Sequence, residues 1–451
     1  MVNARFSFKD SDYFFSLDLD RETIKVLIFA VSQDKESKKI WILGESSRYL
    51  DNFGELLGNP FSPLNFSESR YSAVDGAIFK EATRNAVCKT IDEAIKAAEN
   101  NLKKQAGETA KNNWKKRITQ QLKAGLINLP ADIFQAEIQT YSFSRPRAEL
   151  VINKKEAAEI QSFVLKEIKE KSRQSFAEQF GCPPEHLSFA SYRLIEIKID
   201  GYKVPEIFGY QGKVLEFKSL VTSLPEFHLS DTREMVEDYQ CYAGNAAPKR
   251  KKLLSVKTIH EAETLSFALE GKGKTGLFID VGANWTHVFL VRNSQIEQIA
   301  EFESGGEKFS RALSQQLGLN LPQARILKES YSKKLLSEEG RVRVREIVFP
   351  ELEIWFKSLK SKLFSLQTAG FGPLLPKEIF LFGNGSELPE IAEILAEGDW
   401  GDLIASAPKV TLFYPAEVAK WQEENKIFFE DITQKINQPK NTNLILLCFY
   451  G

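Results

Sequence analysis

With 451 residues, 43% of them hydrophobic, the chain can bury a substantial core and exceeds one ordinary domain. Its charged residues, 27% of the total, nearly cancel to a formal net charge of −1, so nucleic acid is not an expected partner. Cys88, Cys182, Cys241 and Cys448 are scattered without CxxC spacing, and the four histidines form no cluster with one another. That pattern predicts a reducing cytoplasm and no zinc site. No apolar run approaches the roughly 20 residues of a membrane-spanning helix. The polar start MVNARFSFKDSDYFF lacks the apolar centre of a signal peptide.

In chain order, Tyr13 to Leu19, Ile24 to Ser32 and Lys39 to Gly44 read as a strand meander. A turn signal at Val74-Asp75-Gly76 precedes a helix over Phe79 to Asn101. Lys103 to Gly125 reads as a basic helix with Trp114, Ile118 and Leu122 on one stripe. A helix packed in a domain is the commoner reading of such a stripe, and a membrane-surface helix is the alternative.

Phe134 to Phe143 and Glu149 to Ile152 are strand-like, and Asn153 is placed to cap a long helix ending near Phe180. Strands over Tyr192 to Ile199 and Val214 to Leu224 complete a self-contained α+β insert, residues 134–227. Ser230 to Arg250 reads as a helix and a loop, and Lys249 to Lys252 as a solvated basic cluster. A second meander follows in Gly276 to Gly282, His287 to Arg292 and Glu297 to Glu303. Helices then run to about Phe364, a strand covers Glu378 to Phe382, and an apolar strand is expected over Leu444 to Tyr450.

Three loops carry the chemistry. Two hairpins open on an aspartate: Asp18-Leu19-Asp20-Arg21 and Asp280-Val281-Gly282-Ala283-Asn284-Trp285. A third, Gly383-Asn384-Gly385-Ser386, is a glycine-rich turn between a strand and a helix. Tight turns of small residues let backbone N–H groups approach phosphate oxygens, and an aspartate at a strand end can hold hydrated Mg²⁺. A glycine-rich turn at a helix start adds a favourable dipole. Gly305-Gly306-Glu307-Lys308 joins the set.

In this order the loops resemble those of the actin-like ATPases, and most nearly the bacterial division family FtsA. Val74 to Ile78, Ser142 to Arg145, Ile199 to Tyr202, Gly209 to Lys213, Gly305 to Ser310 and Val348 to Glu353 add to the resemblance. It implies an α/β, actin-like (ribonuclease H-like, duplicated) two-lobed fold with an inserted SHS2 subdomain. The implied division is 1–133, first lobe, with a basic helical insertion at 103–125; 134–227, insert; and 228–275, return to the first lobe. The second-lobe core is 276–310 with 377–451, and 311–376 is a small helical subdomain.

The resemblance also implies ATP and Mg²⁺. Asp18, Asp20, Arg21, Asp280, Gly282, Asn284, Gly305, Gly306, Glu307, Lys308, Gly383, Asn384, Gly385 and Ser386 would hold the nucleotide, with Asp18 and Asp280 holding the metal through water. Several positions depart from the family. Asp20 stands where the first loop has glycine and Arg21 where it has a hydroxyl. Ala283, Asn284 and Trp285 replace small residues of the second loop, and His287 replaces a later aspartate. A carboxylate about 4 Å from a phosphate oxygen costs about 4 kcal/mol at an effective dielectric near 20. Weak or lost nucleotide binding is therefore expected, and no residue is assigned to catalysis, His287 included.

FtsA-like chains self-associate, bind the tail of FtsZ and tether it to the cytoplasmic face of the inner membrane. Their usual terminal amphipathic helix is not seen after Leu444 to Tyr450, so membrane contact is expected to be indirect or through the Trp114 helix. PilM of type IV pilus assembly is the main alternative, with a similar insert that takes a short peptide of a membrane protein. A small-molecule kinase of the same superfamily is the second.

Overall fold

The computed structural model describes residues 11–20, 22–33, 37–50, 73–106, 114–226, 228–234, 255–368 and 374–450. Arg21, Cys241 and the Lys249 to Lys252 cluster lie outside them.

The first meander is β1 (Asp12–Leu19), β2 (Thr23–Gln33) and β3 (Lys38–Tyr49), paired antiparallel with β2 in the middle. β4 (Leu122–Asn128) lies parallel to β1, and β9 (Ser255–Thr258) lies parallel to β4. The second meander, β10 (Gly276–Val281), β11 (Thr286–Arg292) and β12 (Gln295–Phe302), repeats this plan. Here β13 (Glu378–Phe382) lies parallel to β10, and β14 (Lys409–Leu412) parallel to β13. Both sheets thus run third, second, first, fourth, fifth strand. Parallel pairs need long crossovers, which is why the helices fall there. β15 (Ile427–Asp431) joins β3 at the edge of the first sheet, although the sequence groups 377–451 with the second.

Each sheet is buried on both faces. On β2, Val26, Ile28 and Ala30 face α1 (Ala73–Ala106) and α2 (Trp114–Gln121), where Ile91, Ile95, Trp114 and Ile118 are buried. Leu27 and Phe29 alternate to the other face, as strand geometry requires. There they meet α4 (Glu261–Leu269) and α10 (Thr442–Tyr450), which also cover Phe278, Phe289 and Val291 of the second sheet. The opposite face of that sheet packs on α5 (Gly306–Leu317), α6 (Leu321–Ser332), α7 (Glu338–Thr368) and α8 (Pro389–Glu397). A further helix, α9 (Pro415–Glu423), precedes β15.

Four expectations are corrected. Leu444 to Tyr450 is helix, not strand: every residue from Thr442 to Phe449 is buried between the sheets. A short continuous apolar run fits either state, and the space between two complete sheets accepts a helix. The basic segment after Lys103 is not one helix, because α2 ends at Gln121 and Leu122 begins β4. Trp114 is buried, so the packed reading holds over the membrane-surface one. Glu149 to Ile152 makes no sheet strand; Ile152 exchanges backbone bonds with Gly209 and Tyr210 (3.0 and 2.8 Å). Val74 to Gly76 is the first turn of α1 instead of a turn before it.

The insert leaves the first sheet after β4 and returns at β9. It comprises β5 (Gln135–Ser144), α3 (Lys154–Phe180), β6 (Leu187–Ile199), β7 (Tyr202–Val204) and β8 (Val214–Pro225). Its sheet runs β5-β8-β6-β7, wholly antiparallel. Ile160, Val164, Ile168 and Phe176 of α3 pack over Ile197, Leu215 and Phe217. The segments that carry the resemblance meet here. Buried Arg145 bonds Glu156 and the carbonyls of Leu150 and Gly212, and Asp200 accepts from the N–H groups of Lys213 and Val214.

Asn153 caps α3 as expected, its side chain accepting from Glu156 N–H at 3.0 Å, and Gly181 ends the helix at φ 63°. Asn153→Ala is expected to cost about 1 kcal/mol, read from the urea midpoint at unchanged slope.

Candidate functional site

β1 and β10 are the strands at which each sheet's order reverses, and a crevice outside their carboxyl ends is the expected ligand site of such sheets. Asp18 and Asp280 stand near these ends and face one cavity between the lobes. Asp20, Gly282, Gly383 and Asn384 line it too, so six of the residues expected at a nucleotide come together here. The cavity holds only about 50 Å³. Small-molecule sites span roughly 300–1,000 Å³.

Side chains of the protein fill the space. Asp20 Oδ2 accepts from Ala283 N–H at 3.1 Å, which puts a carboxylate on the second loop where a phosphate oxygen would be received. Asn384 Nδ2 reaches Asp20 Oδ2 at 3.5 Å and Thr23 Oγ1 at 3.3 Å, tying the third loop to the first hairpin. Lys25, opposite Asp18 on β2, donates to the Lys440 carbonyl at 2.6 Å and stands 3.9 Å from Asp18 Oδ2. Burial lowers its pKa, and Asp18, Asp20 and Asp280 oppose that shift. Asn128 donates to Asp18 Oδ1 at 3.0 Å.

On the other wall, Asn443 Nδ2 donates to Asp280 Oδ2 at 2.7 Å and Glu261 Oε2 at 3.1 Å. Glu261 also bonds His287 Nδ1. Burial pushes Asp280 up to about 6, with Asp18 adding to the shift and Asn443 and Lys25 opposing it. Burial takes His287 down to about 3, so its imidazole is neutral at pH 7.

The other described residues of that set do not line the cavity. Gly306 N–H and Glu307 N–H bond the carbonyls of Gly282 and Ala283 at 2.9 and 2.8 Å, so the start of α5 is used up by the second loop. A Cβ at Gly305 would fall 2.4 Å from the Ala283 carbonyl, which is why glycine is needed there. The Glu307 carboxylate pairs with Arg325, and Lys308 Nζ bonds the Glu303 carbonyl at 3.0 Å. Ser386 Oγ closes its own turn onto the Gly383 carbonyl at 2.7 Å, and Gly385 packs on Val281. Asn284 is half-buried in its hairpin and does not line the cavity.

A second link spans the lobes at the rim. Arg325 of α6 bonds Glu22 of the first hairpin at 3.1 Å and Glu307 of α5 at 3.1 Å, all three buried. Its guanidinium lies over the Tyr49 ring, whose hydroxyl bonds Glu329. Sequence reading missed Lys25, Asn128, Glu261, Arg325, Lys440 and Asn443. Only Lys25 had a local signal, as the partner of Asp18 across a short hairpin; the others reach the cleft from distant segments.

Among solved structures, the chain is similar to one in a PilM–PilN type IV pilus biogenesis complex, at 14% identity and TM-score 0.57 over 97% of each chain. The fold is actin-like. More distant likenesses are ethanolamine utilization protein EutJ from Carboxydothermus hydrogenoformans (10%, TM-score 0.41, 97% of this chain and 90% of that chain) and a MamK double helical filament (10%, 0.36, 97% and 98%). No family model and no curated protein matches the chain. Identities this low carry the fold and not the activity. As the side chains stand, the residues present do not fit a Mg²⁺-nucleotide: the cavity is too small, and Asp20 holds the Ala283 N–H.

Proposed function

We propose that this chain is an actin-fold scaffold of the pilus-assembly type, which keeps its interlobe cleft closed with its own side chains and does not turn over ATP. The carrying observation is the Asp20 carboxylate on Ala283 N–H, an internal anion in the place of a phosphate. In this reading the insert is an SHS2-type module that receives a short apolar peptide of a membrane protein, as PilM receives PilN. Exposed Leu150, Val151, Phe208 and Tyr210 support that role, since the backbone bonds of Ile152 to Gly209 and Tyr210 bring their two segments side by side. Membrane contact then passes through the partner, in keeping with a chain whose described residues include no helix long and apolar enough to cross a membrane. The division reading, with an FtsZ tail as partner, shares the fold and gains no support from the cleft. A kinase would need the cleft open.

Two measurements test the proposal. Wild type titrated with Mg-ATP is expected to bind no tighter than about millimolar, and Asp20→Gly at least about tenfold tighter, because removing a carboxylate near a phosphate relieves a repulsion of up to about 4 kcal/mol. Micromolar binding with turnover by the wild type would overturn the scaffold reading. In pull-downs, a PilN-type amino-terminal peptide should be retained and then lost in Val151→Glu/Phe208→Asp. Retention of an FtsZ-type tail in its place would move the protein to division.

A further inference from the structure

The wall of the cleft opposite Asp20 has a feature that the scaffold reading does not use. Glu261, Asp280 and His287 each offer one ligand atom, and these atoms lie within 4.8 Å of one another. They come from three segments: Glu261 from the first turn of α4, Asp280 from β10, and His287 from β11, directly across the ladder from Asp280. All three residues are at least nine-tenths buried, as is Asn443, whose amide nitrogen bridges the two carboxylates.

The cluster also holds polar atoms left without a partner among the described residues. Asp280 Oδ1, His287 Nε2 and Asn443 Oδ1 are buried without a hydrogen-bond partner. Burying one such group without a partner costs about 1–3 kcal/mol, and three on touching residues of one cavity wall call for a shared ligand. That ligand must be positive. The polar partners of Glu261 here are an imidazole and an amide, and two buried carboxylates demand a cation. Lys25 acts on Asp280 only through space, since its ammonium bonds the Lys440 carbonyl and stands 3.9 Å from Asp18.

We propose that Glu261, Asp280, His287 and the Asn443 amide oxygen bind one divalent transition cation of the Zn²⁺ class directly, without nucleotide. The donor set selects the ion. Mg²⁺ favours an all-oxygen octahedral shell with retained waters, whereas an imidazole with carboxylates suits Zn²⁺. Around a tetrahedral Zn²⁺ with bonds of about 2.1 Å, donor atoms lie about 3.4 Å apart, within the observed spacing after small side-chain movements. The ion would replace the present His287–Glu261 contact and satisfy the orphan oxygens. No pair of nearby histidines or cysteines marks this site in the sequence: His287 lies 7 residues after Asp280, but Glu261 and Asn443 lie 19 and 163 residues from it.

The test uses the full chain, stripped with a chelator and titrated calorimetrically with Zn²⁺, Mn²⁺ or Mg²⁺ in the absence of nucleotide. One equivalent of Zn²⁺ is expected to bind at micromolar or tighter affinity, at least tenfold better than Mg²⁺. Glu261→Gln and His287→Asn should each weaken it at least tenfold, while His186→Ala, at a surface histidine, should not. Absence of stoichiometric Zn²⁺ binding, or Zn²⁺ binding unchanged in the first two variants, overturns the site. X-ray absorption at the zinc edge of the wild type is independent of variant folding. A shell of one imidazole nitrogen and otherwise oxygens supports the assignment, and a shell without imidazole rejects it. The outcome leaves the scaffold reading untouched, since that reading rests on Asp20 across the cleft.

Discussion

Arg325→Ala is expected to destabilise the protein by about 3–5 kcal/mol, the usual cost of breaking a buried ion pair from one side. The guanidinium is only 7% exposed and holds Glu22 at 5% and Glu307 at 3%, so its removal strands two carboxylates that water hardly reaches. Arg311, 3.3 Å from Glu307, compensates part of this on that side, and Lys328 acts on Glu22 through space. The loss should appear as a lower denaturant midpoint. Replacing all three members, with Arg325→Met, Glu22→Gln and Glu307→Gln together, should recover much of it, since the penalty lies in uncompensated charge and not in the lost pair itself. The location makes this more than a stability test. Glu22 belongs to the first lobe and Arg325 to the second, so the variant should also raise hydrogen exchange at the β1–β2 turn while leaving β10 and β11 protected. A stability loss below about 1 kcal/mol would mean that the lobes do not depend on this link.

Much of the fold was legible because its signals are local. Both meanders show in short apolar runs divided by polar turns, and Asn153 and Gly181 mark α3 at each end. The two aspartate hairpins were also legible, as strand ends that the duplicated sheet order then brought together. What could not be read is what reaches the cleft from afar. Glu261 and Asn443 sit at the starts of helices that meet only because both sheets bury a face against them, and no spacing in the chain records that. Asp20 is the instructive case. Read alone, it is a defect in a phosphate loop, since a carboxylate repels a phosphate. In the fold, the same carboxylate accepts from Ala283 N–H, so a substitution that would repel a phosphate ties the two hairpins together.

The third loop has the glycine-rich pattern expected of a nucleotide element, and Gly383→Ala tests a different reason for its glycine. Gly383 has φ 91° and ψ 173°, a region open essentially to glycine alone, where other residues pay about 1–3 kcal/mol. An added Cβ would fall 1.8 Å from Asp280 Oδ1 and within 2.7 and 2.9 Å of the Val281 backbone oxygen and nitrogen. The Val281 atoms belong to β10, the middle strand of the second sheet, and cannot yield without disturbing its pairing. Strain and clash together predict a loss of about 4 kcal/mol or more, seen as a collapse of the thermal midpoint or of soluble yield. Gly401→Ala separates the two causes: its φ is 55° with no atom within 4 Å of the added Cβ, so only about 1 kcal/mol of left-handed strain is expected. If Gly383→Ala cost no more than Gly401→Ala, the loop would have room to spare and its glycine would point back to a ligand. A much larger cost means that the glycine admits the Asp280 carboxylate, and that it serves the packing of the cleft itself.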